Sequence, residues 1–473
     1  MATSSGFDLV VIGAGPGGYM AALRASELGL RTALVERCSK LGGTCLRVGC
    51  IPSKALLSST EAYVFARDRL PRSGIAAKGF GIEMSRLHAR KEAIVEKLAQ
   101  GIAFLMRQNR VEVLEGMGRI VGPHAVAVHM AEREETLETR SIVLATGSEP
   151  VELPVLPFDH DRIVGSTEAL SFSEAPKSLL VIGAGAIGLE LGSVWSRLGS
   201  QVVVVEVLPR IAAGFSPIVS KSLQRELEKQ EIQFLLGTRV AGGEVKQTEV
   251  ALQIEQGGKE RTLVAERALV AVGRKPCHGG LGLAEAGVSL TAAGRVAVNR
   301  FWQTSLPSVY AIGDLIEGPM LAHRAQAEGR AVAELLAGKP AEVRYLAIPN
   351  VIYTEPEVAS VGFSEEDFHV AKRPYRRGTA YFQANGRALA AEAPEGFVTI
   401  LMDESSGKIA GMEIVGSRAS DLIGTAALAL ETGATLASLA RAVQAHPSFM
   451  EGVREAAFAA LNASLSVRRS GVS

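Results

Sequence analysis

Two cysteines near the start of the chain, Cys45 and Cys50, form a C-x4-C pattern. This spacing differs from the C-x2-C of zinc sites and thioredoxin-like loops. Four intervening residues that include Gly49 can bring the two sulfur atoms together at one distorted helical turn. A zinc site is not expected, because the other cysteines, Cys38 and Cys277, are far apart in sequence and lack ligand-like neighbours. In a reducing compartment such a pair favours redox chemistry over a structural crosslink, but the spacing alone leaves both open.

A glycine-rich turn precedes this pair and suits the binding of a pyrophosphate. The apolar segment Phe7–Ile12 predicts a buried strand, which runs into Gly13, Gly15 and Gly18. The first glycine allows the turn, the second lets backbone approach the phosphates, and the third lets helix and strand pack closely. The following helix offers N–H groups and the positive end of its dipole. Glu36, at the end of the next predicted strand, is placed to accept hydrogen bonds from an adenosine ribose.

The same design returns later in the chain. A predicted strand at Ser178–Ile182 is followed by Gly183, Gly185 and Gly188, and then by a helix and a strand that ends at Glu206. The first glycine precedes the acid by 23 residues in both copies. Two complete copies at equal spacing predict two dinucleotide sites. A 2′-phosphate would be repelled by Glu206, so NAD is expected rather than NADP in the second site.

The strand pattern predicts that the second unit is inserted into the first. Each copy ends in an apolar strand that stops at glycine, at Ile142–Gly147 and at Leu269–Gly273. The segment Val309–Asp314 then returns the chain to the first domain, and Asp314 is placed to hold a sugar-alcohol hydroxyl. The expected fold class is α/β, with two Rossmann-like dinucleotide-binding domains, the second inserted in the first, and a separate C-terminal α/β domain. The predicted segments are 1–150 and 276–346 for the first domain, 151–275 for the inserted domain and 347–473 for the C-terminal domain.

Composition and charge argue against several other classes of protein. The chain has 473 residues, with 50 Lys+Arg balanced by 50 Asp+Glu. This balance removes the usual electrostatic basis for binding nucleic acid or an anionic membrane. No apolar run approaches the ~18 to 20 residues that span a bilayer. Strand-like sequence begins at Phe7, which leaves no room for a targeting peptide, so a soluble cytoplasmic protein or an already processed one is expected.

The redox segment Gly42–Lys54 resembles that of the pyridine nucleotide-disulfide oxidoreductases. The resemblance extends over essentially the whole chain. It includes Ala145–Ser148, Gly183–Glu190, Gly313–Asp314, Gly318–His323, Ile348–Pro349, Tyr353–Glu357, and His446–Pro447 with Glu451. It implies a flavin, FAD, in the first nucleotide site, NAD(P) in the second, where Glu206 favours NAD, and a homodimer built through the C-terminal interface domain.

The resemblance also implies roles for single residues. Cys45 is expected to exchange with the substrate dithiol, and Cys50 to face the flavin and pass on the reducing equivalents. Lys54 and Glu190 are expected to pair near the flavin N5 edge. The implied cofactor residues are Gly13, Gly15, Gly18, Glu36, Lys54, Thr146, Gly147 and Asp314 for FAD, and Gly183, Gly185, Gly188, Glu206 and Gly273 for NAD. No metal site is expected.

A general acid/base is implied at His446, donated by the opposite subunit to serve Cys45, with Glu451 orienting it. Taken alone, His446 is one of eight histidines and reads as an ordinary surface residue. The sequence His-Pro followed by Glu at this chain position reverses that interpretation. An imidazole with an ordinary pKa of about 6.5 is suited to exchange a proton with a thiol near 8.5.

Three features select a branch of the family. Glutathione and trypanothione reductases have arginines where this chain has Glu206 to Leu208, and mercuric and large thioredoxin reductases carry C-terminal cysteines or selenocysteine that Val467–Ser473 lacks. Soluble transhydrogenases lack the cysteine pair. The expected reaction is therefore the oxidation of dihydrolipoamide to its cyclic disulfide with reduction of NAD. The expected partner is a lipoylated carrier protein or domain of a 2-oxoacid dehydrogenase, glycine-cleavage or other lipoate-dependent system.

Four positions depart from the usual residues of the family: Arg47, Ser216, Gln444 and Phe449–Met450. Two other hypotheses stay open. One is a related flavoprotein reductase that acts on another disulfide or on an acceptor such as a quinone or dye. The other is a non-catalytic scaffold, which the intact candidate residues argue against.

Overall fold

The computed structural model describes residues 6–76 and 79–462. The chain divides into two compact units. Unit 1 comprises Met1–Ala55, Ser85–Val151 and Gly273–Val343, and unit 2 comprises Leu56–Met84, Glu152–Val272 and Arg344–Ser473. The Val467–Ser473 tail and the opening Met1–Ser5 lie outside the described residues.

The strands follow one another in this order. They are Phe7–Ile12 (β1), Thr32–Glu36 (β2), Glu112–Glu115 (β3), Met117–Gly122 (β4), Ala125–His129 (β5), Glu134–Leu144 (β6), Ser148–Pro150 (β7), Ile163–Val164 (β8), Ser178–Ile182 (β9), Gln201–Val205 (β10), Gln233–Leu235 (β11), Thr238–Lys246 (β12), Glu249–Gln256 (β13), Lys259–Ala265 (β14), Arg267–Val270 (β15), Arg274–Pro276 (β16), Val309–Ala311 (β17), Asn350–Ile352 (β18), Glu357–Gly362 (β19), Tyr375–Tyr381 (β20), Phe397–Asp403 (β21) and Ile409–Gly416 (β22).

The α-helices interleave with these strands. They are Pro16–Glu27 (α1), Gly43–Val48 (α2), Cys50–Val64 (α3), Met84–Gln108 (α4), Ser166–Ala169 (α5), Ala186–Arg197 (α6), Pro217–Glu228 (α7), Leu283–Ala286 (α8), Ala322–Leu336 (α9), Glu365–Val370 (α10), Gly386–Ala390 (α11), Ala419–Thr432 (α12), Leu436–Arg441 (α13) and Met450–Leu461 (α14). Within the described ranges, none of them has the length and apolar content needed to cross a bilayer.

Unit 1 is built on a mainly parallel sheet. The strand order is β3-β2-β1-β6-β5-β4, and β17 also pairs with β6. β1 lies parallel to both β2 and β6, with Val10 opposite Ala33 and Ile142. Such a strand is covered on both faces, which explains the unbroken apolar run of its sequence. The carboxyl ends of β1, β2, β6 and β17 therefore meet at one edge of the sheet, where the candidate FAD residues follow them.

Helix α1 packs closely against α9 in unit 1, and glycines make this approach possible. A Cβ atom on Gly329 would lie 2.2 Å from the carbonyl oxygen of Gly17. A side chain at Gly329 would therefore push the two helices apart. This packing fixes α1, whose N-terminus faces the first glycine turn, relative to the segment after β17.

Unit 2 contains a second parallel sheet with the order β11-β10-β9-β15-β8 and an antiparallel ladder of β12, β13 and β14. Its C-terminal part is an antiparallel sheet with the order β18-β19-β22-β21-β20. β21 is buried along its full length. Val398 and Ile400 pack with residues of α12 and α14, whereas Leu401 packs with Phe368 of α10 in a separate cluster.

The structure confirms the predicted α/β fold class and differs from the prediction in detail. Helix α1 begins at Pro16, inside the first glycine turn, because Gly15 is its N-cap and proline suits the first helical turn. The segment Leu56–Met84 clusters with unit 2, although the sequence placed it with the first domain. Helix α3 runs through residue 55 without a turn, so no local signal marks this change. The functional domain boundaries at 150, 275 and 346 stay predictions.

Candidate active site

Two glycines of the first turn, Gly13 and Gly18, have no room for a side chain. Gly13 has a φ of +102°, and a Cβ atom there would lie 2.6 Å from the carbonyl oxygen of Ala145. A Cβ on Gly18 would lie 1.8 Å from the carbonyl oxygen of Gly13. Gly15 caps α1 without a side chain, so the backbone itself forms the surface of this turn. The turn thus has the form of a cradle for phosphates at a helix N-terminus.

Glu36 is tied to this turn by its carboxylate. Its Oε2 atom accepts a hydrogen bond from the N–H of Ala14 at 2.8 Å, and Oε1 accepts one from Cys38 at 3.1 Å. A carboxylate has about four acceptor positions, so these two bonds leave capacity for a ribose hydroxyl. The contact with Ala14 was not foreseen from the sequence. Glu36 therefore stabilises the turn and is also a candidate ribose ligand.

The second glycine turn, in unit 2, repeats this geometry. Gly183 has a φ of +103°, and its Cβ would lie 2.5 Å from the carbonyl oxygen of Ala271, while a Cβ on Gly188 would lie 2.1 Å from Gly183. Glu206 accepts hydrogen bonds from Ala184 at 2.7 Å and from Leu208 at 2.8 Å. A Cβ added at Gly185, the N-cap of α6, would meet no atom within 4 Å, so its backbone is open to a close ligand. Gly273 lies in unit 1, and its predicted place in the NAD site stays a prediction.

Asp314 stands on a 3-10 turn, Gly313–Leu315, directly after β17. Its Oδ2 atom accepts a hydrogen bond from the hydroxyl of Ser148 at 2.5 Å. Arg274 donates from Nε to the same hydroxyl at 2.8 Å and from Nη2 to the Ser148 carbonyl at 2.6 Å. Burial lowers the pKa of Arg274, while the charges of Asp314 and Cys50 raise it. Ser148 and Arg274 thus join the predicted site as residues that sequence reasoning had not assigned to it.

Thr146 and Gly147 form the turn between β6 and β7. The Thr146 hydroxyl donates to the carbonyl of Cys277 at 2.6 Å, and the Cys277 N–H donates to the carbonyl of Gly147 at 2.9 Å. Gly147 has a φ of +74° with no atom within 4 Å of an added Cβ, so its backbone is accessible. Open backbone, an acid at the end of β2 and an acid after β17 at one edge of the sheet fit a long dinucleotide such as FAD.

The cysteine segment packs directly on the first glycine turn. The N–H of Gly42 donates to the carbonyl of Ala14 at 2.9 Å. A Cβ on Gly43 would lie 2.5 Å from the Cα of Gly15. Helix α2 therefore starts against the candidate phosphate cradle. Gly49, with φ −144° and ψ −115°, separates α2 from α3, so the predicted distorted turn is a break between two helices.

The two cysteines are free thiols in this structure, Cys45 half-buried on α2 and Cys50 exposed at the first residue of α3. A hydrogen bond with Cys50 raises the pKa of the Cys45 thiol, and burial raises it further, while the charge of Lys54 lowers it. A thiol that donates to a neighbouring sulfur keeps its proton, so Cys45 needs a base before it can react as a thiolate. Lys54 lies one helical turn after Cys50, on the same face of α3.

Tyr19, on α1, lies near the cysteine pair and was not picked out as a site residue. Its hydroxyl accepts a hydrogen bond from the Gln326 side chain at 2.6 Å. Burial raises the pKa of Tyr19, the bond from Gln326 lowers it, and the charge of Cys45 raises it. A polar residue directly after the last glycine of the cradle gives no signal by itself, because its neighbour Gln326 is distant in sequence.

Glu190 is buried on α6 in unit 2, with its side chain accepting the N–H of Tyr353 at 3.0 Å. It therefore fixes the segment that precedes β19. Lys54 belongs to unit 1 and Glu190 to unit 2. Their predicted pairing at the flavin stays a prediction.

The predicted contact between His446 and Glu451 is present in unit 2. The Nδ1 atom of His446 lies 2.8 Å from Glu451 Oε1, and Glu451 Oε2 accepts the N–H of Ser448 at 2.9 Å. The bond from His446, followed by that from Ser448, lowers the pKa of Glu451. The imidazole is 81% exposed, so Nε2 can reach a group from another subunit. Asn385 holds the loop by donating to the Ser448 carbonyl at 2.9 Å.

The structure explains most of the unusual positions. The Ser216 hydroxyl donates to Glu413 at 2.5 Å, and its N–H donates to the same carboxylate at 3.0 Å, so an acid at position 216 would face Glu413. Arg47 donates from Nε to the Gly43 carbonyl at 3.3 Å, within its own helix. Phe449 is buried and packs edge-on to Phe382, so its bulk lies in the core. Nothing in the structure explains Gln444.

No cluster of three or more His, Cys, Asp or Glu side chains suited to a metal occurs in residues 6–76 and 79–462. The arrangement can instead hold two dinucleotides, one beside a dithiol, and can present a carboxylate-bound imidazole on an exposed loop.

Comparisons with known proteins give the same picture over almost the full chain. Residues 7–329 match the model of the pyridine nucleotide-disulphide oxidoreductase family, and residues 348–457 match the dimerisation domain of that family. The mitochondrial dihydrolipoyl dehydrogenase of Dictyostelium discoideum is 45% identical over 455 residues, covering 95% of this chain and 93% of that protein. Leghemoglobin reductase of Glycine max is 44% identical over 455 residues, covering 96% of this chain and 87% of that protein.

Among solved structures, LpdA from Mycobacterium tuberculosis superposes with a TM-score of 0.89 at 27% identity, covering 95% of this chain and 99% of LpdA. The family matches span both the dinucleotide-binding region and the C-terminal region. The chain therefore belongs to the pyridine nucleotide-disulphide oxidoreductase family.

Proposed function

We propose that this protein oxidises protein-bound dihydrolipoamide to lipoamide and reduces NAD to NADH. The observation that carries the proposal is the Cys45–Cys50 dithiol, which lies on a segment whose Gly42 and Gly43 pack against the first of two glycine cradles. Each cradle is hydrogen-bonded to an acid, Glu36 or Glu206. Relatives at 43–45% identity over nearly the full chain are named dihydrolipoyl dehydrogenase. The protein uses FAD and NAD as cofactors.

FAD fits the first cradle. The turn at Gly13 would face the pyrophosphate, Glu36 the adenosine ribose and Asp314 a sugar-alcohol hydroxyl, with Thr146 and Gly147 beside it. NAD would occupy the second cradle at Gly183, Gly185 and Gly188, with Glu206 on its ribose. When bound, FAD would supply two-electron transfer between the dithiol and NAD.

The cysteines perform the exchange with substrate. One substrate thiolate attacks Cys45 of the Cys45–Cys50 disulfide, and Cys50 leaves as a thiolate. The second substrate thiolate then attacks the substrate sulfur of this mixed disulfide and releases Cys45. The substrate loses two electrons and two protons and becomes a cyclic disulfide, while the enzyme pair becomes a dithiol.

His446 moves the proton in this exchange. With Nδ1 bonded to Glu451, Nε2 accepts a proton from the substrate thiol or from Cys45. The bond to Cys50 and burial raise the pKa of Cys45. A base beside this sulfur therefore helps to convert the unreactive thiol into the reactive thiolate. We place His446 in the opposite subunit of a homodimer, which the match to the dimerisation domain supports.

Steady-state formation of NADH tests the proposal. The purified holoenzyme should form NADH from dihydrolipoamide and NAD, and should turn over reduced glutathione or mercuric ion at rates lower by orders of magnitude. A preference for either of those substrates would contradict the proposed reaction. A lipoylated carrier domain should be a better substrate than free dihydrolipoamide if the partner is a lipoate-dependent complex.

A second candidate function follows from the match to leghemoglobin reductase of Glycine max. In this alternative, electrons from NADH reach an acceptor other than lipoamide. An NADH-dependent assay with haem proteins, quinones and dyes, with kcat/KM compared with that for lipoamide, separates the two functions.

We also propose that the protein is cytoplasmic, although the Dictyostelium relative is named as mitochondrial. Cell fractionation tests this placement.

A further inference from the structure

A buried ion pair lies inside unit 1, on helix α9. Nε of Arg324 lies 2.9 Å from Oε1 of Glu328, and the two side chains are 2% and 0% exposed. Burying two charges costs several kcal/mol each unless additional hydrogen bonds satisfy the remaining atoms. The other partners of this pair therefore indicate what it does.

Those partners lie at both ends of the turn that follows β17. Glu328 Oε2 accepts the N–H of Gly313 at 2.7 Å. Arg324 donates from Nη1 to the carbonyl of Pro319 at 2.9 Å and from Nη2 to that of Glu317. Gly318 makes room for the guanidinium, because a Cβ there would lie 2.6 Å from Arg324 Cζ. The pair thus closes residues 313–319 into a fixed loop.

This loop carries Asp314, next to the anchored N–H of Gly313. The carboxylate of Asp314 is already oriented by the hydroxyl of Ser148, which Arg274 holds in turn. Side chain and backbone of Asp314 are therefore fixed from two directions. Ser148 and Arg274 come from the strands β7 and β16, whereas Glu328 acts from α9.

We propose that Arg324 and Glu328 are positioning residues that hold Asp314 in place for a sugar-alcohol hydroxyl of FAD. The inference rests on the proposed function, because it requires FAD in the first nucleotide site. The ion pair acts through the backbone of residues 313–319, the loop that carries Asp314. Loss of the ion pair should weaken the binding of FAD more than it alters the reaction of the cysteines.

The test is the rate at which the full-length holoenzyme releases FAD, followed by the fluorescence of free flavin. Glu328→Gln keeps the size of the side chain but leaves Arg324 without its buried counter-charge. Release should be roughly tenfold faster, the equivalent of about one charged hydrogen bond. Glu334→Gln is the matched control, because Glu334 lies on the same helix as Glu328 and forms part-exposed ion pairs, with Arg330 of α9 and Arg24 of α1. This variant should release FAD at the parent rate.

A double-variant cycle distinguishes positioning from general stability. If Glu328 acts through Asp314, Glu328→Gln should have about twofold effect or less on release when Asp314→Asn is already present. Equal effects in both backgrounds, or unchanged release in Glu328→Gln, would overturn the inference. If Glu328→Gln does not fold, Arg324→Lys decides, because it keeps the cation and removes the bonds to residues 317 and 319. A parent protein that binds no FAD would instead contradict the proposed function.

Discussion

The carboxylate of Glu355 is largely buried in unit 2, near Arg69, Arg197 and a second acid, Glu61. Its side chain is 18% exposed, and its Oε1 atom lies 3.6 Å from Nη2 of Arg69. Burial raises the pKa of Glu355 from 4.5 to about 7; Glu61 also raises it, and Arg69 and Arg197 lower it. Because burial affects the pKa of Glu355 more than the two arginines do, the neutral acid is the favoured form in the folded protein up to about pH 7.

The consequence is a loss of folding stability as the pH rises. A glutamate in the unfolded chain ionises near pH 4.5, whereas Glu355 in the folded protein ionises only near pH 7. As the pH rises between these values, the unfolded state releases its proton first and the free energy of unfolding falls. The difference in pKa corresponds to about 3 kcal/mol. Glu355→Gln has nearly the same shape and no proton to lose. At about pH 8 the free energy of unfolding of the variant should therefore exceed that of the parent by up to about 3 kcal/mol. Below about pH 4.5 the two free energies should be nearly equal.

Thermal unfolding of the holoenzyme measures this difference. For a chain of this size, 3 kcal/mol corresponds to about 3 °C in Tm, so Glu355→Gln should melt higher than the parent at about pH 8 and close to it near the acid end of the window. Glu260→Gln, at an exposed position of β14, is the control and should show no such pH dependence. A Tm difference between Glu355→Gln and parent that is the same at both pH values would refute the reasoning.

Three further variants test other parts of the structure. His446→Gln should lower dihydrolipoamide turnover by roughly 10²- to 10⁴-fold while NADH-driven dye reduction survives; equal loss of both activities would make His446 structural. Ser216→Asp places a carboxylate against Glu413 and should cost about 1–3 kcal/mol of unfolding free energy in denaturant titrations, with recovery when Glu413→Gln is added; no recovery would contradict like-charge repulsion. Glu206→Arg should narrow the preference for NAD over NADP in kcat/KM, and equal use of both cofactors by the parent would contradict the role of Glu206.

The parts of the fold that the sequence predicts are those with local, repeated signals. The strand of apolar residues before Gly13, the three glycines and the acid at Glu36 recur together at Gly183 and Glu206, and both copies fold as expected. Glycines at 13 and 183 are required by backbone conformation and contact, which leaves a clear trace in sequence. The contact of His446 with Glu451 was implied by the resemblance to the family, and it is local, since both residues lie within one loop and the helix that follows it.

What the sequence could not predict depends on partners far apart in the chain. Ser148 contacts Asp314, and Tyr19 contacts Gln326, only because the parallel sheet brings β7 near β17 and α1 against α9. Glu328 has the ordinary sequence context of a charged residue on an amphipathic helix, and its burial follows from the loop that it holds. Such contacts have no periodicity, so neither spacing nor composition reveals them.

In the proposed reaction, the Cys45–Cys50 pair carries electrons from dihydrolipoamide to NAD. The direct test is the rate of NADH formation by the parent holoenzyme, by Cys45→Ser and by Cys50→Ser, each with FAD content confirmed by its absorbance. The parent should form NADH from dihydrolipoamide, and each variant should lose at least about 10³-fold in rate, since serine cannot form the disulfide. Sustained NADH formation by either variant would contradict the claim.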